Sequence, residues 1–105
     1  MSRSPIITDA DWLPNDHAGA LLASEFLQPI GLDEAGLASA VGVSPDRLRN
    51  VVRGQARLDA DLDLRLTRYF GLSEGFFLRL QNSYELLEAK RALSGELDRI
   101  VPRAA

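Results

Sequence analysis

Apolar residues recur along this chain three or four positions apart, the spacing of helices that bury one face, and no segment makes a convincing strand. From His17, the positions Leu21, Leu22, Phe26 and Leu27 predict a first helix that runs to Gln28, where Pro29 and Gly31 end it. Asp33 is placed to cap a short second helix, with Leu37, Ala38 and Val41 as its inward stripe before Gly42. Ser44 followed by Pro45 is a strong start signal for a third helix, which reaches about Arg53 before Gly54. Asp59 caps a fourth helix carrying Leu62, Leu66 and Phe70, ended by Gly71. Ser73 caps a fifth through Phe76, Phe77, Leu80, Tyr84 and Leu87. Its stripe runs on to Leu97 and Ile100 unless Ser94-Gly95 breaks it. The expected fold is an all-α domain of five helices over residues 17–93. Residues 1–16 form an irregular arm in which Ile6, Ile7, Trp12 and Leu13 are available to pack, and residues 94–105 are a helix extension or tail.

The second and third helices are joined by the very tight "VGVS". Ala38 is small where the two helices must cross closely, Gly42 can take the positive φ that ends the second, and Val43, Leu48 and Val51 are apolar where the pair buries itself. Together these residues make a helix-turn-helix pattern. With Leu48 and Val51 inward, the third helix presents Asp46, Arg47, Arg49, Asn50 and Arg53 on its other face. Arginine can pair bidentately with guanine and asparagine with adenine in a major groove, each good pair discriminating by about 1–3 kcal/mol. The competing reading is a helical hairpin that merely packs, its arginines solvated or paired to Asp59, Asp61 and Asp63.

Charge sharpens this contrast. The chain has a net charge of −3, yet residues 47–57 hold Arg47, Arg49, Arg53 and Arg57 and no acid, so everything else sums to −7. A basic segment on an acidic background is how a nucleic-acid footprint looks when the global charge hides it. With 105 residues, 46% of them hydrophobic and 26% charged, the composition fits one soluble domain. The absence of cysteine excludes disulfides, thiolate metal sites and cysteine nucleophiles, and a reducing cytosol is the simplest setting. The first residues lack the apolar run of a signal peptide, and no window approaches 18 apolar residues, so neither export by that route nor a membrane span is expected.

Other candidate chemistry reduces to structure. His17, the sole histidine, cannot build a zinc site alone and is placed to cap or pack at the start of the first helix. "DADLD", residues 59–63, has the look of a calcium loop, but Leu64 and Phe70 stand where such a loop needs Gly and Glu, so Asp59 reads as a cap. No phosphate-binding glycine loop, nucleophile with its base, or His-Glu pair is present, and the chain reads as a binder without cofactor rather than an enzyme.

Several runs in order resemble the HigA-type antitoxins, a branch of the phage-repressor-like helix-turn-helix proteins. They are "HAG" where that family usually reads His-Pro-Gly, "EFLQPIGL", "LASAVGVSPDRL" and "GLSEGFFLRLQ", and the likeness covers His17 to about Leu86. The resemblance implies a lambda-repressor-like domain of five helices with an extended C-terminal helix. It also implies a dimer that binds a palindromic operator in its own promoter, represses its own operon, and captures a small RelE-like ribonuclease toxin. Carried over residue by residue, it places Ser44, Asp46, Arg47, Arg49 and Asn50 in the groove, with Asn50 as a base reader. Arg53, Gln55 and Arg57 fall where such proteins hold the DNA backbone. Asp46 could accept from cytosine or simply favour the helix N-terminus.

Departures from the family pattern are specific. Asp33-Glu34 stands where Ser-Gln is common, and Glu34 would repel a phosphate that a glutamine would touch. Arg49 and Arg53 replace frequent Ser and Asn and can restore attraction. Phe77 replaces Trp, Ala18 replaces Pro, and Gly36 costs the second helix about 1 kcal/mol relative to Ala. The late stripe Leu80, Tyr84, Leu87, Leu93, Leu97 and Ile100 is either core or a dimer surface of the kind that palindromic half-sites require. Two further readings stand beside the antitoxin: a stand-alone transcriptional regulator using the same motif, and a protein-interaction module that has lost DNA binding.

Overall fold

The computed structural model describes residues 14–104; Ile6, Ile7, Trp12 and Leu13 lie outside the described residues. Five helices carry the fold, and the described residues contain no strand. Helix α1, residues 18–30, opens as Ala18–Leu21, widens into a π-helical turn over Leu22–Leu27 and closes as Gln28–Ile30. Then come α2 (Glu34–Val41), α3 (Pro45–Val52), α4 (Ala60–Phe70) and α5 (Phe76–Ala92), with one 3-10 turn at Leu97–Arg99.

Four starts follow the local sequence. The side chains of His17, Asp33, Ser44 and Asp59 accept the N–H groups of Ala20, Gly36, Arg47 and Leu62, at 3.1, 2.7, 3.1 and 2.9 Å. Each satisfies one of the donors that a helix N-terminus leaves open. A Cβ at Gly36 would meet Leu32 Cδ1 at 2.8 Å and the capping oxygen of Asp33 at 3.0 Å, so a larger residue there requires the Leu32 side chain to shift.

Two boundaries depart from expectation. Helix α1 does not stop at Gln28 but carries Pro29 within its last turn. Proline lacks an N–H and crowds the carbonyl four residues back. Here the backbone has already shifted to a five-residue bond, with the Gln28 N–H on the Ala23 carbonyl, and Gly31 at φ 66° then closes the helix with the Gly31 and Leu32 N–H groups on the Gln28 and Leu27 carbonyls at 3.2 and 3.1 Å. Nor is Ser73 the cap of α5. The chain enters that helix through Gly75, at φ 89°, and the cap comes from another helix. Asp63, only 1% exposed on α4, accepts the N–H groups of Gly75 (2.7 Å), Phe77 (2.8 Å) and Leu78 (3.1 Å). Helix α5 ends at Ala92, and the Ser94-Gly95 break turns the chain into the 3-10 segment.

The core is formed by Leu22, Leu37, Leu48, Leu58, Leu62, Leu66 and Phe77, each fully buried, together with Ala18 and Ala38. Phe77 is the largest side chain that is fully buried. It lies 5.2 Å from Phe26 and 5.1 Å from Phe76 between ring centroids, edge to face, and its burial is worth about 1.5–3 kcal/mol. Behind α3 the backbones nearly touch: a Cβ on Gly19 would fall 1.9 Å from the Val51 carbonyl oxygen. Only glycine lets α1 approach the end of α3 so closely.

Two substitutions test this packing. Asp63→Ala leaves buried donors at the start of α5 unpaired and should cost about 2–4 kcal/mol, lowering the thermal midpoint by roughly 10–20 °C in circular dichroism melts. Asp63→Asn, which keeps one acceptor oxygen, should fall between. Gly19→Ala should destabilise by at least about 1–3 kcal/mol through overpacking; a melt unchanged from wild type would contradict the α1–α3 contact.

Candidate nucleic-acid interface

Helix α3 is held from behind and from both ends. Leu48 is fully buried and Val51 is 3% exposed, so its inner face belongs to the core. At the turn, Gly42 adopts φ 76°, and the Ala38 carbonyl accepts both the Gly42 and Val43 N–H groups, at 2.9 and 3.0 Å. Arg65 on α4 donates to the Val41 and Gly42 carbonyls at 2.9 and 3.3 Å, satisfying acceptors that the end of α2 leaves open. After α3 the loop folds back, and the Asn50 carbonyl accepts the N–H groups of Gln55 (2.8 Å) and Ala56 (3.2 Å).

The eight residues expected at the interface sort into distinct situations. Ser44 is the α3 cap. Arg47, expected to face the groove, spreads its guanidinium over the start of α4, donating to Asp59 at 2.9 Å and Asp61 at 3.1 Å. For this arginine the alternative of pairing with Asp59 and Asp61 is what the structure shows. Asp61 also accepts from Arg65 at 2.8 Å. Hydrogen bonds from Arg65 first and Arg47 second hold its carboxyl below the usual carboxylate range.

Asp46 pairs with Arg49, whose Nε also lies 3.9 Å from Glu34. Glu34, the residue expected to repel a phosphate, thus sits beside a guanidinium. Asn50, Arg53 and Gln55 are exposed, and Arg53 makes no ion pair among the described residues. Arg57 donates through Nε and Nη2 to the two carboxylate oxygens of Glu85, at 2.9 and 3.1 Å. Glu85 also accepts from Gln81 Nε2 at 2.8 Å. The bond to Glu85 raises the Arg57 pKa. Bonds from Arg57 and then Gln81 lower that of Glu85, so this pair is ionised throughout the neutral range.

Sequence reasoning missed Glu85 and Gln81. One signal was available: Gln81 is a polar side chain within the inward stripe of α5, one helical turn before an acid. The three aspartates of "DADLD" take separate tasks, Asp59 capping α4, Asp61 joining two arginines and Asp63 entering the core. Among the described residues no cluster of His, Asp and Glu is arranged to hold a metal ion. Among them, too, no helix is long and apolar enough to cross a membrane. What remains is a firmly seated helix presenting an amide and a series of oriented guanidinium groups, the chemistry that can address base edges and phosphates.

No family model matches the chain. It is 42% identical to Virulence-associated protein I of Dichelobacter nodosus over 79 residues, 75% of this chain and 73% of that protein. Antitoxin HigA-1 of Vibrio cholerae serotype O1 is 29% identical over 84 residues, 80% of this chain and 79% of its own length. The fold superposes on the structure of Pseudomonas aeruginosa antitoxin HigA with higBA promoter at a TM-score of 0.79, with 33% identity, covering 88% of this chain and 100% of that one. With a shared fold and 33% identity over 88% of this chain and 100% of the Pseudomonas aeruginosa protein, the chain belongs to the HigA family of helix-turn-helix antitoxins.

Proposed function

We propose that this protein is a dimeric antitoxin that binds operator DNA in its own promoter through α3, represses its own operon and neutralises a small RelE-like ribonuclease toxin. The observation that carries the DNA part is the exposed pair of Asn50 and Arg53 on a helix whose opposite face, Leu48 and Val51, is locked in the core. A rigid helix with an amide and a guanidinium outward suits a major groove. That a HigA relative, 33% identical, was solved with promoter DNA supports the DNA-binding reading. In this reading Asn50 and Arg49 face bases, Ser44 and Asp46 line the helix entrance, and Arg53, Gln55 and Arg57 hold phosphates. Arg47 shapes the surface from its place on Asp59 and Asp61.

The dimer is supported by an apolar strip at the end of the chain. Leu80, Tyr84 and Leu87 are half-buried on their own domain, whereas Leu86, Leu93, Leu97, Ile100 and Val101 are exposed, by 38–85%. Palindromic half-sites about 34 Å apart require a two-fold dimer, and this strip is the apolar surface available for it.

A second reading, an interaction module that has lost DNA binding, is favoured by one observation: carboxylates of the same chain engage Arg47, Arg49 and Arg57. Titration with the duplex upstream of the gene separates the two. The antitoxin should bind it with an affinity that falls steeply with salt, whereas no binding at about 50 mM salt would leave the interaction module. Asn50→Ala should cost about 1–3 kcal/mol and relax base preference, and Arg53→Ala should weaken native and scrambled duplexes alike. Equal loss of sequence preference from both would contradict these roles. Co-expression with the neighbouring gene should yield a stable complex with a small basic protein.

A further inference from the structure

Glu85 faces the interface from a different helix, and two opposite roles are open to it. It could neutralise Arg57 and shield it from phosphate, or it could hold Arg57 in the orientation that a phosphate needs. We infer that Glu85 is a positioning residue: with buried Gln81 behind it, it fixes Arg57 so that the free edge of the guanidinium meets the DNA backbone. The inference rests on the DNA-binding reading above and adds residues of α5 to its recognition surface.

The geometry favours positioning. Both oxygens of Glu85 are engaged by Nε and Nη2 of Arg57, a fork that fixes the guanidinium plane, and among the described residues Nη1 is left to donate elsewhere. Glu85 is itself restrained, because Gln81 is only 4% exposed and donates to it at 2.8 Å. Arg57 stays half-exposed, so its remaining N–H groups are accessible. Magnitudes point the same way. At the effective dielectric of a protein surface, about 20, a phosphate about 8 Å beyond the carboxylate would feel an unscreened repulsion worth roughly thirtyfold in affinity, which physiological salt cuts to about fourfold. Ordering a long arginine side chain in advance is worth up to roughly thirtyfold. The ordering gain exceeds the repulsion.

The test is a double-mutant cycle on the full chain, read by fluorescence anisotropy with the native upstream duplex and a scrambled one. Glu85→Ala should weaken binding to both duplexes by about three- to tenfold, Glu85→Gln should recover part of that loss, and Arg57→Ala should weaken both at least as much as Glu85→Ala. The double variant should bind no worse than Arg57→Ala alone. Binding by Glu85→Ala that equals or exceeds wild type, or losses that multiply in the double variant, would overturn the inference. Wild-type protein that binds neither duplex would overturn the DNA-binding reading itself, whereas wild-type binding with an indifferent Glu85→Ala sinks only the role of Glu85. Glu85→Ala also removes the acceptor of the buried Gln81 amide, so its circular dichroism melt should fall by a few degrees while the protein stays fully folded at the assay temperature, and Glu85→Gln should melt close to wild type, which separates a positioning loss from unfolding.

Discussion

Three backbone N–H groups at the start of α5 converge on one buried carboxyl, that of Asp63, and most of the remaining geometry follows from that junction. The entry to α5 has no local side-chain cap, so without Asp63 its first turn would bury unpaired donors. With it, α4 and α5 are fixed to one another. Helix α4 then brings Asp59, Asp61 and Arg65 against α2 and α3, while α5 carries Phe77 into the core and Gln81 and Glu85 toward Arg57. The outward face of α3 is therefore held in place by helices that lie beside and behind it.

Features that depend on nearest neighbours were readable in the sequence. Asp33, Ser44 and Asp59 cap the helices they precede, Gly42 takes the positive φ, and Leu48 and Val51 turn inward, because each of these follows from local backbone chemistry and periodicity. Features set by tertiary contact were not. Asp63 lies 12 to 15 residues from the N–H groups it accepts, so Ser73 was the nearer and wrong candidate. The partner of Arg57 is 28 residues away, and nothing local to Arg57 points to it. Pro29 within α1 escaped for a different reason, since the π turn that accommodates it has no simple residue signature. At the interface the outward residues were legible, but their ion-pair partners were not, apart from Asp59 and Asp61 as one alternative.

A positively charged helix in an acidic protein now has a physical explanation. The arginines do not form a bare patch: Arg47, Arg49 and Arg57 are each engaged by acids of α2, α3, α4 or α5, and Arg53 stands outward. Exposed pairs of this kind contribute about 0–1 kcal/mol each to stability. Their effect is instead on direction, because a guanidinium fork held on one edge presents its other edge in a defined plane. Glu34 belongs to the same pattern through its approach to Arg49, which tempers the repulsion expected from an acid at the start of α2.

The central claim is that the outward face of α3 and the loop after it form the surface that meets DNA. Its most direct test is an amide chemical-shift map of the isotopically labelled protein titrated with the duplex upstream of its gene. The account predicts shifts concentrated on residues 44–57, with Asn50 and Arg53 among the most affected, and little change beyond residue 93. Shifts confined to the exposed apolar end of the chain, or none along α3 at a concentration where the duplex is bound, would contradict it.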